Sequence, residues 1–215
     1  MEITWFGHSC FRLSERGVAI VTDPFSEELG YARPRIRADI VTISHDHPGH
    51  NHRIGFRGGP RFFDRPGEYE VKEVFITGIS TYHDGKHGAV RGKNLVFLFE
   101  IGGLGVCHLG DLGHIPDQRQ VEALSDVDVL LVPVGGGHSL DASKAAEVIS
   151  LIEPEIVIPM HYKTPMEQAR LEGLDKFIKE MGLAPVPAQA SLSITKSTLP
   201  EETQVVVLEY ATAAE

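Results

Sequence analysis

At 215 residues, with 42% hydrophobic and 23% charged side chains, the chain can bury a full core and has the balance of a globular protein. Its formal charge of −10 argues against a general nucleic-acid surface, and no apolar run is long enough to span a bilayer. Cys10 and Cys107 cannot form a framework of bridges, and the opening MEITWFGHSCF lacks the marks of a secretory leader, so a cytoplasmic protein is expected.

In chain order, β-branched and aromatic enrichment predicts strands over 3–6, 10–13, 18–22, 40–44, 70–82 and 94–101. A further strand over 104–108 follows Gly102 and Gly103 at hairpin spacing. Helices then alternate with strands. Asp117 caps a short helix to Leu124, and 127–132 reads as a buried strand. Asp141 caps a helix whose Ala142, Ala145, Ala146, Ile149 and Ile152 share a face. A strand over 155–159 precedes a one-sided helix of Leu174, Phe177, Ile178 and Met181, stopped by Gly182. Strands over 191–195 and 204–210 close the chain. This order predicts an α/β fold of sheets packed together and covered by helices, as one domain over residues 1–215.

The segment IVTISHDHPGHNH carries the strongest chemical signal. A buried-strand run ends at Ser44, and His45, His47 and His50 follow within six residues. Pro48 and Gly49 let the chain fold back, so three imidazoles converge on a loop leaving a rigid strand. Neutral imidazole is the commonest protein ligand for metal ions. Other candidates also sit where apolar strands end: His83 and Asp84, His108 and Asp111, and His161. Several His and one Asp suit zinc, iron or manganese, and a carboxylate can bridge two ions. From Tyr31 to Arg65, seven Arg stand against Asp39, Asp46 and Asp64, a local excess of four positive charges that would favour an anionic substrate. The 25–39 loop in the same region reads as a site wall.

SHDHPGH resembles the HxHxDH signature of the metallo-β-lactamase superfamily, and YHDG, HLGD and PMHY resemble its later ligand motifs in order. WFGHSCF, TDPF, RPGEYEV, RGKN and VPVGGG make the chain most similar to the metal-dependent hydrolase branch that includes ascorbate-6-phosphate lactonase. The resemblance implies a four-layer αββα sandwich with a metal site at one edge. It implies His45, His47 and His83 as ligands of one ion, His50 and His161 as ligands of a second, and Asp111 as the bridge. His87 and His108 compete with His83 for the third place, and the family pattern favours His83. Gly49 stands where the signature has Asp. The second ion would then either keep His50, His161 and Asp111, an open three-ligand set, or be weak or absent, and the expected cofactor is one or two Zn2+ ions, with Mn2+ or Fe as competitors. Asp23 is a candidate to orient the ligands, while His8 reads as structural or as lining the site mouth.

The expected activity is hydrolysis of an ester, lactone or phosphoester of a small anionic metabolite by metal-bound hydroxide, with Asp111 and His138 as catalytic residues. An iron-dependent oxidoreductase and a non-catalytic binding protein on a reduced site are the alternatives. The expected partner is a small molecule, with a homo-oligomer compatible and neither nucleic acid nor membrane.

Overall fold

Apolar runs broken by glycine, proline or a tight turn set the element limits. The computed structural model describes residues 1–26, 29–31 and 36–211. The strands run β1 (Glu2–Gly7), β2 (Cys10–Glu15), β3 (Val18–Thr22), β4 (Ile40–Thr42), β5 (Arg61–Phe63), β6 (Gly67–Val71), β7 (Val74–Tyr82), β8 (Lys93–Ile101) and β9 (Leu104–His108). Then come α1 (Gln118–Glu122), β10 (Val129–Pro133), α2 (Ala142–Ile152), β11 (Ile156–Met160) and α3 (Leu174–Glu180). Short strands at 188–189, 192–193, 204–205 and 207–208 complete the described chain.

The single strand expected over 70–82 is instead a hairpin. β6 and β7 turn at Lys72 and Glu73, both at positive φ, 52° and 65°. Such a two-residue turn matches the twist of paired strands, but Lys-Glu lacks the Gly or Asn that normally marks it. The expected 204–210 strand divides into two short ones, and β5, only three residues long, shows no alternation to read.

A six-stranded sheet has the order 192–193, β1, β2, β3, β4, β5; a seven-stranded sheet has the order 204–205, β11, β10, β9, β8, β7, β6. β1 and β3 both run antiparallel to β2, and β4 runs parallel to β3, so β1, β3 and β4 share one direction. By the same reasoning β7, β9, β10 and β11 share a direction in the second sheet. Their carboxyl ends meet at one edge of the sandwich, where Leu95 N–H donates to Ser44 O at 2.8 Å between the sheets.

Alternation assigns the faces. Ile3, Trp5, Ile20 and Ile40 enter the core between the sheets with Phe97, Phe99, Val106 and Leu131. Phe6, Val21 and Val41 turn outward beneath Phe25, Tyr31 and Ile36. α2, capped by Asp141 as expected, buries Ala145, Val148, Ile149 and Ile152, and packs on β10 and α3. Two mixed sheets with flanking helices are the architecture the sequence implies.

Candidate metal centre

Each candidate donor stands just past a strand end: His8 after β1, Asp23 after β3, His83 after β7, Asp111 after β9 and His161 after β11. After β4 the backbone turns back, with His50 N–H and Asn51 N–H both donating to His47 O at 2.8 and 3.0 Å. That turn brings His45, His47 and His50 to the shared edge. Asp111 Oδ2 lies 3.3 Å from Nε2 of His50, His83 and His161, and 3.8 Å from Nε2 of His45. One donor atom each from His45, His47 and His50 lies within 4.8 Å of the others, as for His45, His83 and Asp111. All six residues expected as ligands therefore converge. All of them but His45 line a cleft of about 300 Å³ whose walls include His138, Arg91, Arg170 and Leu171.

Buried partners fix the rings. His50 Nδ1–H donates to Asp23 Oδ2 at 2.8 Å, and Ser44 Oγ donates to the same oxygen at 2.5 Å. Ser44 Oγ in turn accepts from His45 Nδ1–H at 2.9 Å. Ser139 Oγ donates to Gly136 O, which leaves it to accept from His161 Nδ1–H at 3.3 Å. Such outer contacts set the tautomer and aim Nε2 inward. His8, Asp23 and His161 hold positive φ of 51°, 38° and 52°, a conformation costly for side-chain-bearing residues and concentrated at functional sites.

Charge is divided unequally. Burial disfavours charge on His50, yet Asp111 and then Asp23 lift its pKa to about 10. Burial and then the His50 charge push His45 to about 3, and burial, followed by His8 and His50, does the same to His161. Burial acts to raise the Asp111 carboxyl, but His161 and His50 carry it well below the ordinary range. The donors fit a borderline divalent cation, being imidazole nitrogens with one carboxylate. His45 Nε2, His83 Nδ1 and Asp111 Oδ1 are buried with no hydrogen-bond partner, the kind of deficit a cation removes.

Other histidines have different work. His87 packs edge-on against Tyr82 with ring centroids 5.4 Å apart. His108 Nε2–H donates to Ser9 O at 2.8 Å while its Nδ1 accepts Gly110 N–H, so both nitrogens are committed to holding the strand ends. Asp46 pairs with Asn51 at the surface. Among the described residues, no arginine of the expected rim lines the cleft. Arg53 pairs with Asp64 at 2.6 Å and Arg61 lies over Phe63, while Arg33 and Arg35 fall outside the described residues. Among the described residues, the arginines of the cleft are Arg91 and Arg170. Leu29, from the loop expected as a wall, does line the cleft.

Sequence reasoning underrated His8 and did not find Glu167. His8 Nε2 lies 3.2 Å from His50 Nε2, and its Nδ1–H donates to Glu167 Oε2 at 2.8 Å. The only signal for His8 was its place at a strand end between Gly7 and Ser9. Glu167 lies in an irregular segment and carried none.

The sequence profile of the beta-lactamase superfamily domain matches residues 2–161. A UPF0173 metal-dependent hydrolase of Carboxydothermus hydrogenoformans is 30% identical over 76% of this chain and 85% of its own length. A relative of the same description from Methanopyrus kandleri is 30% identical over 85% of this chain and 94% of its own. Among solved structures, a Thermotoga maritima protein assigned to zinc-dependent hydrolases of the metallo-beta-lactamase superfamily superposes with a TM-score of 0.81 at 41% identity, covering 100% of this chain and 99% of that one.

Proposed function

The chain belongs to the beta-lactamase superfamily, as a metal-dependent hydrolase of the UPF0173 family with the metallo-β-lactamase fold, and from that premise we propose that it cleaves a small anionic ester, lactone or phosphoester at the histidine–aspartate cluster. The observation that carries this reading is the convergence of imidazole nitrogens from separate strand ends on the buried Asp111 carboxylate, at the floor of one cleft.

We assign zinc as the resident ion: His45, His47 and His83 would hold one ion, His50 and His161 a second, and Asp111 would serve both. Such an ion, when bound, supplies Lewis acidity and brings water close to ionisation at neutral pH. The protein's own part is placement. Asp23 and Ser44 lock His50 and His45 in the tautomers that leave Nε2 free. Arg91 and Arg170 set positive charge on the cleft wall, where an anionic group would be held against the acidic net charge of the chain. His138, exposed on the same wall, would hand a proton to a leaving group. Gly137, beside His138, leaves that part of the wall free of a side chain.

Cys10 and Cys107 are buried free thiols, which supports a reducing, cytoplasmic setting. Among the described residues no helix is long and apolar enough to cross a membrane. We further propose a single domain over residues 1–215, of the branch that includes ascorbate-6-phosphate lactonase.

A panel of lactones and phosphoesters, each in neutral and anionic form, tests the substrate class. Anionic members should turn over faster, and Arg170→Ala should raise their KM about tenfold with kcat little changed, the size of one lost charge-assisted contact. Equal rates on neutral and anionic members, or an unmoved KM, would remove anion recognition from the account.

A further inference from the structure

Gly49 leaves a gap in the ligand signature that this chain resembles, and the space beside it is not empty. A Cβ built on Gly49 would lie 3.0 Å from His8 Nε2 and 3.3 Å from His47 Nδ1. The His8 ring, 3% exposed, therefore occupies the room that an aspartate at position 49 would need. One donor atom each from His8, His50 and His161 lies within 4.8 Å of the others.

The orientation of His8 follows the pattern of its neighbours. Its Nδ1–H is committed to buried Glu167, as that of His50 is to buried Asp23. The two Nε2 atoms then face each other at 3.2 Å, a contact that needs a proton or a cation between lone pairs. His8 is also held from behind. Its carbonyl accepts both Trp5 Nε1–H and His161 N–H at 3.1 Å, tying the His8 and His161 backbones together in their shared left-handed conformation.

Resting on the proposed metal centre, we propose that His8 replaces the missing aspartate as a ligand of the second ion, completing a site with His50, His161 and Asp111. Glu167 is the positioning residue for that ligand. Through Oε1 it also accepts Ala169 N–H at 2.9 Å, so the same carboxylate fixes the wall segment that carries Arg170. The second ion and the substrate wall thus share one anchor.

Equilibrium dialysis against Zn2+ with metal analysis, and the visible spectrum of the Co2+-loaded protein, read this directly. Glycine tolerates the left-handed backbone at position 8, so His8→Gly should fold, as circular dichroism would show. The wild type should retain two ions, His8→Gly one, and the His8→Gly/Gly49→Asp double variant two again. Glu167→Gln should weaken only the second ion, by about 10- to 100-fold, leaving the first unchanged; a merely structural carboxylate would move both or neither. Two ions in both wild type and His8→Gly, or a single wild-type ion that His8→Gly keeps, would overturn the ligand assignment while leaving the metal centre standing. A wild type that takes up no ion would overturn both.

Discussion

The interior of the seven-stranded sheet and the edge of the sandwich are built from the same strands and obey opposite rules. β10 and β11 are buried along their whole length, all apolar, with the backbone paired in parallel register. Just beyond such strand ends lie His8, Asp23, His50, Asp111 and His161, equally buried but polar. The interior is satisfied by the chain alone. The edge is not, because several of its donors and acceptors find no partner within the protein. Burying polar groups without partners costs stability, so a fold keeps such an arrangement where something else binds.

The largest expected effect breaks the edge. Asp111→Ala removes a carboxylate that lies 3.3 Å from three imidazoles, and should abolish metal retention and turnover together while circular dichroism stays native. Survival of either would take Asp111 out of the centre. Breaking the interior should do the reverse. Phe97→Ala empties a fully buried position beside Phe99 and should cost about 3–5 kcal/mol in denaturant titration, yet leave the metal content of folded chains intact. Loss of metal without loss of stability would show that the two regions are not separable.

A smaller effect lies at the cleft wall. Asp84 accepts N–H groups from Lys86, Gly88, Val90 and Arg91 at 2.7–3.0 Å, anchoring the segment that carries Arg91. Desolvation opposes its charge, but these bonds, that of Arg91 foremost, hold its pKa down to about 2. A carboxylate depressed below its unfolded value, 3.8, contributes fully above that pH and loses its contribution as pH falls through about 2. Amide exchange over 86–91 should therefore stay slow until that range in the wild type, and be faster and independent of this titration in Asp84→Asn. Matching profiles would show that the carboxylate does not order the segment.

The regularity of the edge explains how much of it was legible. His45, His83, Asp111 and His161 each follow an apolar run, so the pattern places them at strand ends, and the shared strand direction brings those ends together. Relations across long sequence distances were not legible. Glu167 meets His8 across 159 positions, and nothing local marks either as a pair. Clustering of charge in sequence is a weak guide to its place in space for a related reason. Among the described residues of the run between 31 and 65, Arg53 and Arg61 meet Asp64 and Phe63, while the described arginines of the cleft, Arg91 and Arg170, come from separate loops. The Lys72–Glu73 turn was hidden because residues without turn preference adopt it.

The most direct measurement is the metal content of protein purified without chelator, followed by reloading of a stripped sample with zinc, manganese or iron. Bound transition metal is expected, two ions per chain at saturation, with hydrolysis that disappears on stripping and returns on reloading. A chain that arrives metal-free, takes up none of the three ions and still hydrolyses its substrate would contradict this expectation.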